Sequence, residues 1–350
     1  MRKWWAVAGA AVVVLALVAA GVVWWLGSRG TELEKAVTMA PAGSQRLSWT
    51  DWAAVRDRLG DAPGDDPSAA QLQRFLDDGY DADLTSTSAL LASAETLRAQ
   101  LGFSPATLEW ELFTQSEAGA ADYLRFPDDA DLEALGDRLE AIGFTRPDDE
   151  DGVWRGGTDV LARVDGTLTP ELGFLAIDAD RHLVVTSDTA DYLATAMDTV
   201  RGDADPVDGL DDVVAASGEP LSAAVYAGTY ACSALAMSSA DAGDQARAEQ
   251  LIADAGEVNP VTGFAMSVQP GGDVRVVLGF ESEDQARTNA DSRSALARGP
   301  APGQGGDFTD RFTVRSVTAE GDLVTLELDP VEGQYVLSDL SSGPVLFATC

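Results

Sequence analysis

Between Lys3 and Arg29 the chain carries no charged residue, and the apolar run from Trp4 to Leu26 has a tryptophan pair at each end, Trp4-Trp5 and Trp24-Trp25. At about 1.5 Å per helical residue such a run spans roughly the 30 Å hydrocarbon core of a bilayer. Paired tryptophans suit the two membrane–water interfaces. The pattern predicts a signal-anchor transmembrane helix within residues 1–30, with the lipid bilayer as its partner and everything downstream held at a membrane.

A cleavable signal peptide is the competing reading, since Arg2 and Lys3 form a short basic start and Ala19-Ala20-Gly21 is a stretch of small residues. The run is longer than an ordinary signal core, however, and continues through Val22 to Leu26 past any such cut, which favours a retained anchor. Orientation is less constrained, because Arg2 and Lys3 on one side face Arg29, Lys35 and Arg46 on the other. A signal-like N-terminus and a later pair of cysteines point to an extracytoplasmic body on a single-pass cell-membrane protein.

That body is acidic. The chain has 58 acidic and 23 basic residues, a net charge of −35. Phosphate backbones and anionic lipids repel such a surface, which excludes nucleic acid as a partner. Cation binding at the aspartate clusters is the sharper alternative to plain solubility. Cys232 and Cys350 are the only cysteines. In an oxidising compartment they are expected to form one intramolecular disulfide, with an intermolecular bridge or two free thiols as alternatives.

The periodicity predicts an α+β body. Residues 31–47 read as a polar tether containing Pro41 and Gly43. Residues 48–85 read as a membrane-proximal helical region: Thr50 is expected to cap a helix carrying Trp52, Val55 and Leu59, and Ser68 with Gln71 forms a capping box ahead of Leu72, Phe75 and Leu76. Leu90 to Leu101 continue the helical spacing, and Gly60, Gly79 and Gly102 stand where helices should stop. Beyond them a unit of strand, turn, strand and helix recurs. Its copies are 110–114 with 121–126 and a helix through Leu132 to Ile142; 173–177 with 182–186 and a helix through Leu193 to Val200; 264–268 with 274–280 and a helix over 282–297; and 312–318 with 323–328 and a degenerate helix over 335–340. Alternation such as Val274, Val276, Leu278 and Val324, Leu326, Leu328 marks mainly antiparallel sheets covered by the helices. Four units imply two tandem subdomains, 86–205 and 219–350, separated by an acidic linker over 206–218.

Chemistry is narrowed by elimination. His182 is the only histidine and sits at the start of a strand after a tight turn, so a two-histidine zinc site is impossible. Lysine occurs only at Lys3 and Lys35, which removes a Ser-Lys dyad, and neither a nucleophile elbow nor a phosphate-binding loop is present. Paired carboxylates survive, but no pair stands out among so many. Asp128 to Glu133 resembles a calcium loop yet has Ala134 where the sixth-position glycine belongs. Acidic residues opening a helix explain it better. No catalytic residue, metal site or cofactor is expected. Trp49 and Trp52, a short tether from the membrane, read either as a membrane or partner interface or as the core of the first helix. Tyr226 and Tyr230 with Cys232 read as core beside a disulfide anchor.

Tyr230 to Leu235, Gly256 to Pro260, Gly303 to Gly306 and Cys350, together with the N-terminal anchor, resemble uncharacterised single-pass envelope proteins of actinobacteria. That resemblance implies no activity and carries over no functional residue. Three functions remain: a non-catalytic binding or interaction module with an envelope protein partner, a small-molecule or lipid-binding protein using a cleft between its halves, and a carboxylate-dependent cell-wall hydrolase.

Overall fold

Alternating apolar residues organise the body into strands, and in the computed structural model, which describes residues 30–60, 63–149 and 152–350, eleven of them form one sheet. In chain order they are β1 (Arg46–Thr50), β2 (Trp110–Gln115), β3 (Ala120–Arg125), β4 (Trp154–Arg155), β5 (Phe174–Asp178), β6 (Leu183–Ser187), β7 (Ser222–Ala227), β8 (Gly263–Val268), β9 (Val274–Gly279), β10 (Phe312–Glu320) and β11 (Leu323–Pro330). They lie in the order β10-β11-β9-β8-β7-β1-β2-β3-β6-β5-β4. Every pairing is antiparallel. The predicted anchor with Trp4, Trp5, Trp24 and Trp25 lies outside the described residues. Among the described residues no helix is long and apolar enough to cross a membrane.

The recurrent strand-strand-helix unit is present, and its copies assemble in the same way twice. Starting from the centre, one side runs β1-β2-β3-β6-β5 and the other β7-β8-β9-β11-β10. The first half carries β4 as an addition at its edge. The two sides meet where β1 pairs with β7, with Arg46 opposite Tyr226, Ser48 opposite Ala224 and Thr50 opposite Ser222. Outward from the Ser48–Ala224 pair the two halves follow equivalent strand orders. A short helix precedes each central strand, Glu32–Val37 before β1 and Asp211–Ser217 before β7, and these two helices pack against each other.

Helices cover both faces. On one face the helices Glu32–Val37, Ala190–Arg201 and Asp211–Ser217 enclose Leu47, Trp49, Leu112, Tyr123, Val185, Val225 and Val277. On the other, Trp52–Leu59, Ala69–Asp81, a helical stretch over residues 91–101 and Leu132–Ile142 cover the first half, and Gly228–Leu235, Ala242–Ala255, Glu283–Leu296 and Val336–Leu340 the second. The strands are thus buried on both sides at the centre, while the outer strands β10 and β11 alternate buried and accessible residues.

Four expectations are corrected. The tether over 31–47 is structured: Thr31 forms a capping box for a helix whose Leu33, Ala36 and Val37 are buried, and Arg46 and Leu47 open the central strand. Leu47 and Trp49 alternate with Arg46, Ser48 and Thr50, a period of two. The segment 206–218 is no free linker, because Val213 and Val214 of its helix pack under the sheet. Asp51 rather than Thr50 caps the helix through Trp52, since Thr50 still belongs to the strand. Gly79 lies within its helix, whereas Gly60 and Gly102 do end theirs in the left-handed conformation; the Ser68–Gln71 capping box is formed.

Candidate functional site

Cys232, on the helix that follows β7, and Cys350 form a disulfide with Cα atoms 5.3 Å apart, closing a separation of 118 residues. The same C-terminal segment is gripped a second time. Arg293, wholly buried, donates through Nη1 to the carbonyls of Phe347 at 2.8 Å and Thr349 at 2.9 Å, and through Nη2 to the carbonyl of Asn259. Tyr226 and Tyr230 pack edge to face beside this region.

Neither Trp49 nor Trp52 is available as an interface. Trp49 is 1% exposed, packs in a tilted arrangement against Trp110 with ring centroids 5.4 Å apart and donates its indole N–H to the carbonyl of Pro220; Trp52 is fully buried against Phe75 and donates to Glu111 Oε2 at 3.0 Å. The physical reason is the alternation of β1, which turns Trp49 into the core on one face, and the first turn of the next helix, which turns Trp52 into the core on the other. His182 takes a left-handed turn conformation with φ 47° before β6, as a turn residue does. Among the described residues no group of three or more His, Cys, Asp or Glu side chains is placed to hold a metal.

Two adjoining concavities of about 370 and 550 Å³, sharing Glu109 and Pro127, run along the end of the sheet where β2 begins and β3 ends. The smaller holds Glu32, Asp51 and Asp128 beside Arg125; the larger has an apolar floor of Leu101, Phe103, Phe126 and Leu135 under Arg56 and Arg138. Arg56 is fixed by the carbonyls of Ala106 and Leu108 and lies 3.6 Å from Glu109. Arg138 rests on Gly102, where a Cβ would stand 2.9 Å from the guanidinium carbon; this close approach, with φ at 78°, requires glycine. Burial, with Glu109 and Glu32 nearby, raises Asp51 although it caps a helix. The groove therefore sets arginine side chains over an apolar floor beside an acidic rim.

Sequence reasoning could not single out the most unusual pair. Glu111 on β2 and Asp122 on β3 are 0% and 1% exposed. Asp122 faces Phe113, two residues along β2 from Glu111, so the two carboxyls occupy diagonal positions on one face of the sheet. Glu111 accepts from Trp52 Nε1, from Ser88 Oγ at 2.7 Å and from the Ala89 amide at 2.6 Å. Asp122 Oδ1 has no partner, and neither has Thr186 Oγ1, its register neighbour on β6. Burial raises both acids, Glu111 to about 7 and Asp122 well above the ordinary carboxylate value, with the negative charges of Glu111 and Glu171 adding to the effect on Asp122. Neither residue lines the groove described above.

No protein-family model and no curated protein matches the chain. Among solved structures it is similar to crystal forms I, III and IV of TP0453, at 7%, 8% and 10% identity and TM-scores of 0.41, 0.41 and 0.40. Each match covers 87% of this chain and 96%, 97% and 96% of the TP0453 chain respectively. A likeness of that extent carries no argument about function.

Proposed function

We propose that this chain is a membrane-anchored, extracytoplasmic binding or interaction module of the cell envelope, without catalytic activity, that presents an acidic folded body to an envelope protein partner. The observation that carries the reading is the Cys232–Cys350 disulfide, because such a bridge persists in an oxidising compartment. The uncharged run from Trp4 to Leu26 with its terminal tryptophan pairs supports a retained single-pass anchor. The resemblance to actinobacterial envelope proteins is proposed on the same footing. Nothing supports a nucleic-acid partner on a body of net charge −35.

The partner surface favoured by geometry is the groove over β2 and β3. It takes over the role given to a cleft between halves, since the halves share one ladder at β1 and β7 and the concavities described here belong to the first half. The hydrolase reading finds its two buried, raised carboxylates in Glu111 and Asp122, but both are buried in the sheet and neither lines the groove.

The test is protease and a membrane-impermeant thiol reagent applied to intact cells. Cleavage of the body without lysis, and cysteine labelling only after reduction, support the proposal. Protection of the body until lysis, with both thiols free, overturns it.

A further inference from the structure

Two carboxylic acids in a sheet interior face a choice set by electrostatics. An ionised carboxylate removed from water costs several kcal/mol unless a cation or several hydrogen-bond donors surround it. Glu111 has three donors and therefore a route to ionisation. Asp122 Oδ1 has none, and the charges that act on Asp122 are those of Glu111 and Glu171, both acidic. The arginines of the neighbouring elements are occupied elsewhere: Arg56 with Glu109 and two carbonyls, Arg98 with Glu95, Arg125 with Asp128. Tyr123 points to the opposite face of the sheet. A second negative charge here has no relief within the fold other than a proton or the entry of water.

The position of the pair determines what water entry would break. Through Trp52, Ser88 and Ala89, Glu111 ties the helix Trp52–Leu59 and the segment before residues 91–101 to β2. Beside it, Thr87 donates to the carbonyl of Trp49 and lies 2.8 Å from the Thr50 hydroxyl, binding the same segment to β1. This polar seam is where the helical layer of the first half meets the centre of the sheet.

We propose that Glu111 and Asp122 form a proton-operated fastener between that helical layer and the sheet, closed while the pair carries at most one negative charge and loosened when both carboxyls are ionised. The device does not rest on the envelope reading and works on whichever side of the membrane the body lies. A proton held more tightly by the folded than by the unfolded chain stabilises the fold fully below the unfolded pKa, and that stabilisation is lost as pH rises to the folded pKa. For Glu111 the window runs from 4.5 to about 7. Within it each extra proton held by the folded state makes the unfolding equilibrium constant rise about tenfold per pH unit.

The experiment uses the full-length chain in detergent, at high salt to screen the net charge. Unfolding is followed by tryptophan fluorescence from about pH 5 to about pH 8. The expected result is a stability that falls with rising pH in the wild type and a slope that is flattened in Glu111→Gln and Asp122→Asn. An unchanged slope in the folded variants overturns the proposal. Should the variants not fold, a chain changed only by Asp83→Asn decides: the protonated-carboxyl infrared band is expected to persist at about pH 6, where Asp83 would otherwise contribute to it, and the exchange protection of the Ala89 amide is expected to fall selectively as pH rises. Absence of the band at that pH, or protection that does not change, overturns the proposal.

Discussion

Asp83 accepts a 2.7 Å hydrogen bond from the backbone amide of Leu337, 254 residues later in the chain. A second, of 3.0 Å, comes from the amide of Ser338. The helix Val336–Leu340 has no side-chain cap of its own, so its exposed amides are satisfied from the other half of the molecule. The tilted rings of Tyr80 and Tyr335 pack beside this contact with centroids 5.3 Å apart, which makes it a clasp between the halves on the face opposite Trp49.

Asp83→Ala should therefore cost about 1 to 2 kcal/mol, the usual worth of a lost helix cap. Burial raises Asp83 from 3.8 to about 6. A raised acid holds its proton more tightly when folded, so its stabilisation is full below about pH 3.8 and disappears as pH climbs to about 6. Asp83→Asn should abolish this part of the pH dependence, which urea unfolding at several pH values measures.

Removing the disulfide should be costly because of the length of chain that it closes. With the cysteines 118 positions apart in sequence, chain entropy alone gives about 4 to 5 kcal/mol for Cys232→Ser or Cys350→Ser. Guanidinium unfolding under non-reducing conditions, compared with wild type, measures the loss.

Arg293→Met should cost about 2 to 3 kcal/mol, since the carbonyls of Phe347 and Thr349 lose charged donors inside the protein. Arg293 and the disulfide hold the same end of the chain, from Phe347 to Cys350. The two changes should consequently be non-additive, and a double-mutant cycle with Cys350→Ser tests that coupling.

Trp52→Phe keeps most of the aromatic volume and removes only the N–H that reaches Glu111, so it should destabilise by about 1 to 3 kcal/mol. Trp49→Ala should cost more, about 3 to 5 kcal/mol, because it empties a site packed between Trp110 and the helix layer. Thermal unfolding ranks the two. A smaller effect for Trp49→Ala than for Trp52→Phe would contradict the burial assigned to them.

Much of the strand pattern was legible locally. The hairpins β8–β9 and β10–β11 show themselves in alternating Val, Leu and Phe around glycine turns, and the repeat of strand, strand and helix follows from them. β1 was missed although Arg46 to Thr50 alternates with a period of two, because five residues flanked by polar sequence and followed at once by a helix cap are too short a signal to separate from a tether. The groove and the Glu111–Asp122 pair left no trace of their own. Among 58 acidic residues, those on central strands look like those on edges.

From the order of residues alone come the uncharged N-terminal run, the acidic body, the pair of cysteines and the alternation that makes strands and helices. Each depends on neighbours a few positions apart or on totals over the chain. Which strand lies at the centre, how the halves join at Ser48 and Ala224, and which two carboxyls lose their water depend on contacts between segments far apart in sequence. Desolvation is a property of the packed layer on both sides of a strand, and only the tertiary structure assembles that layer.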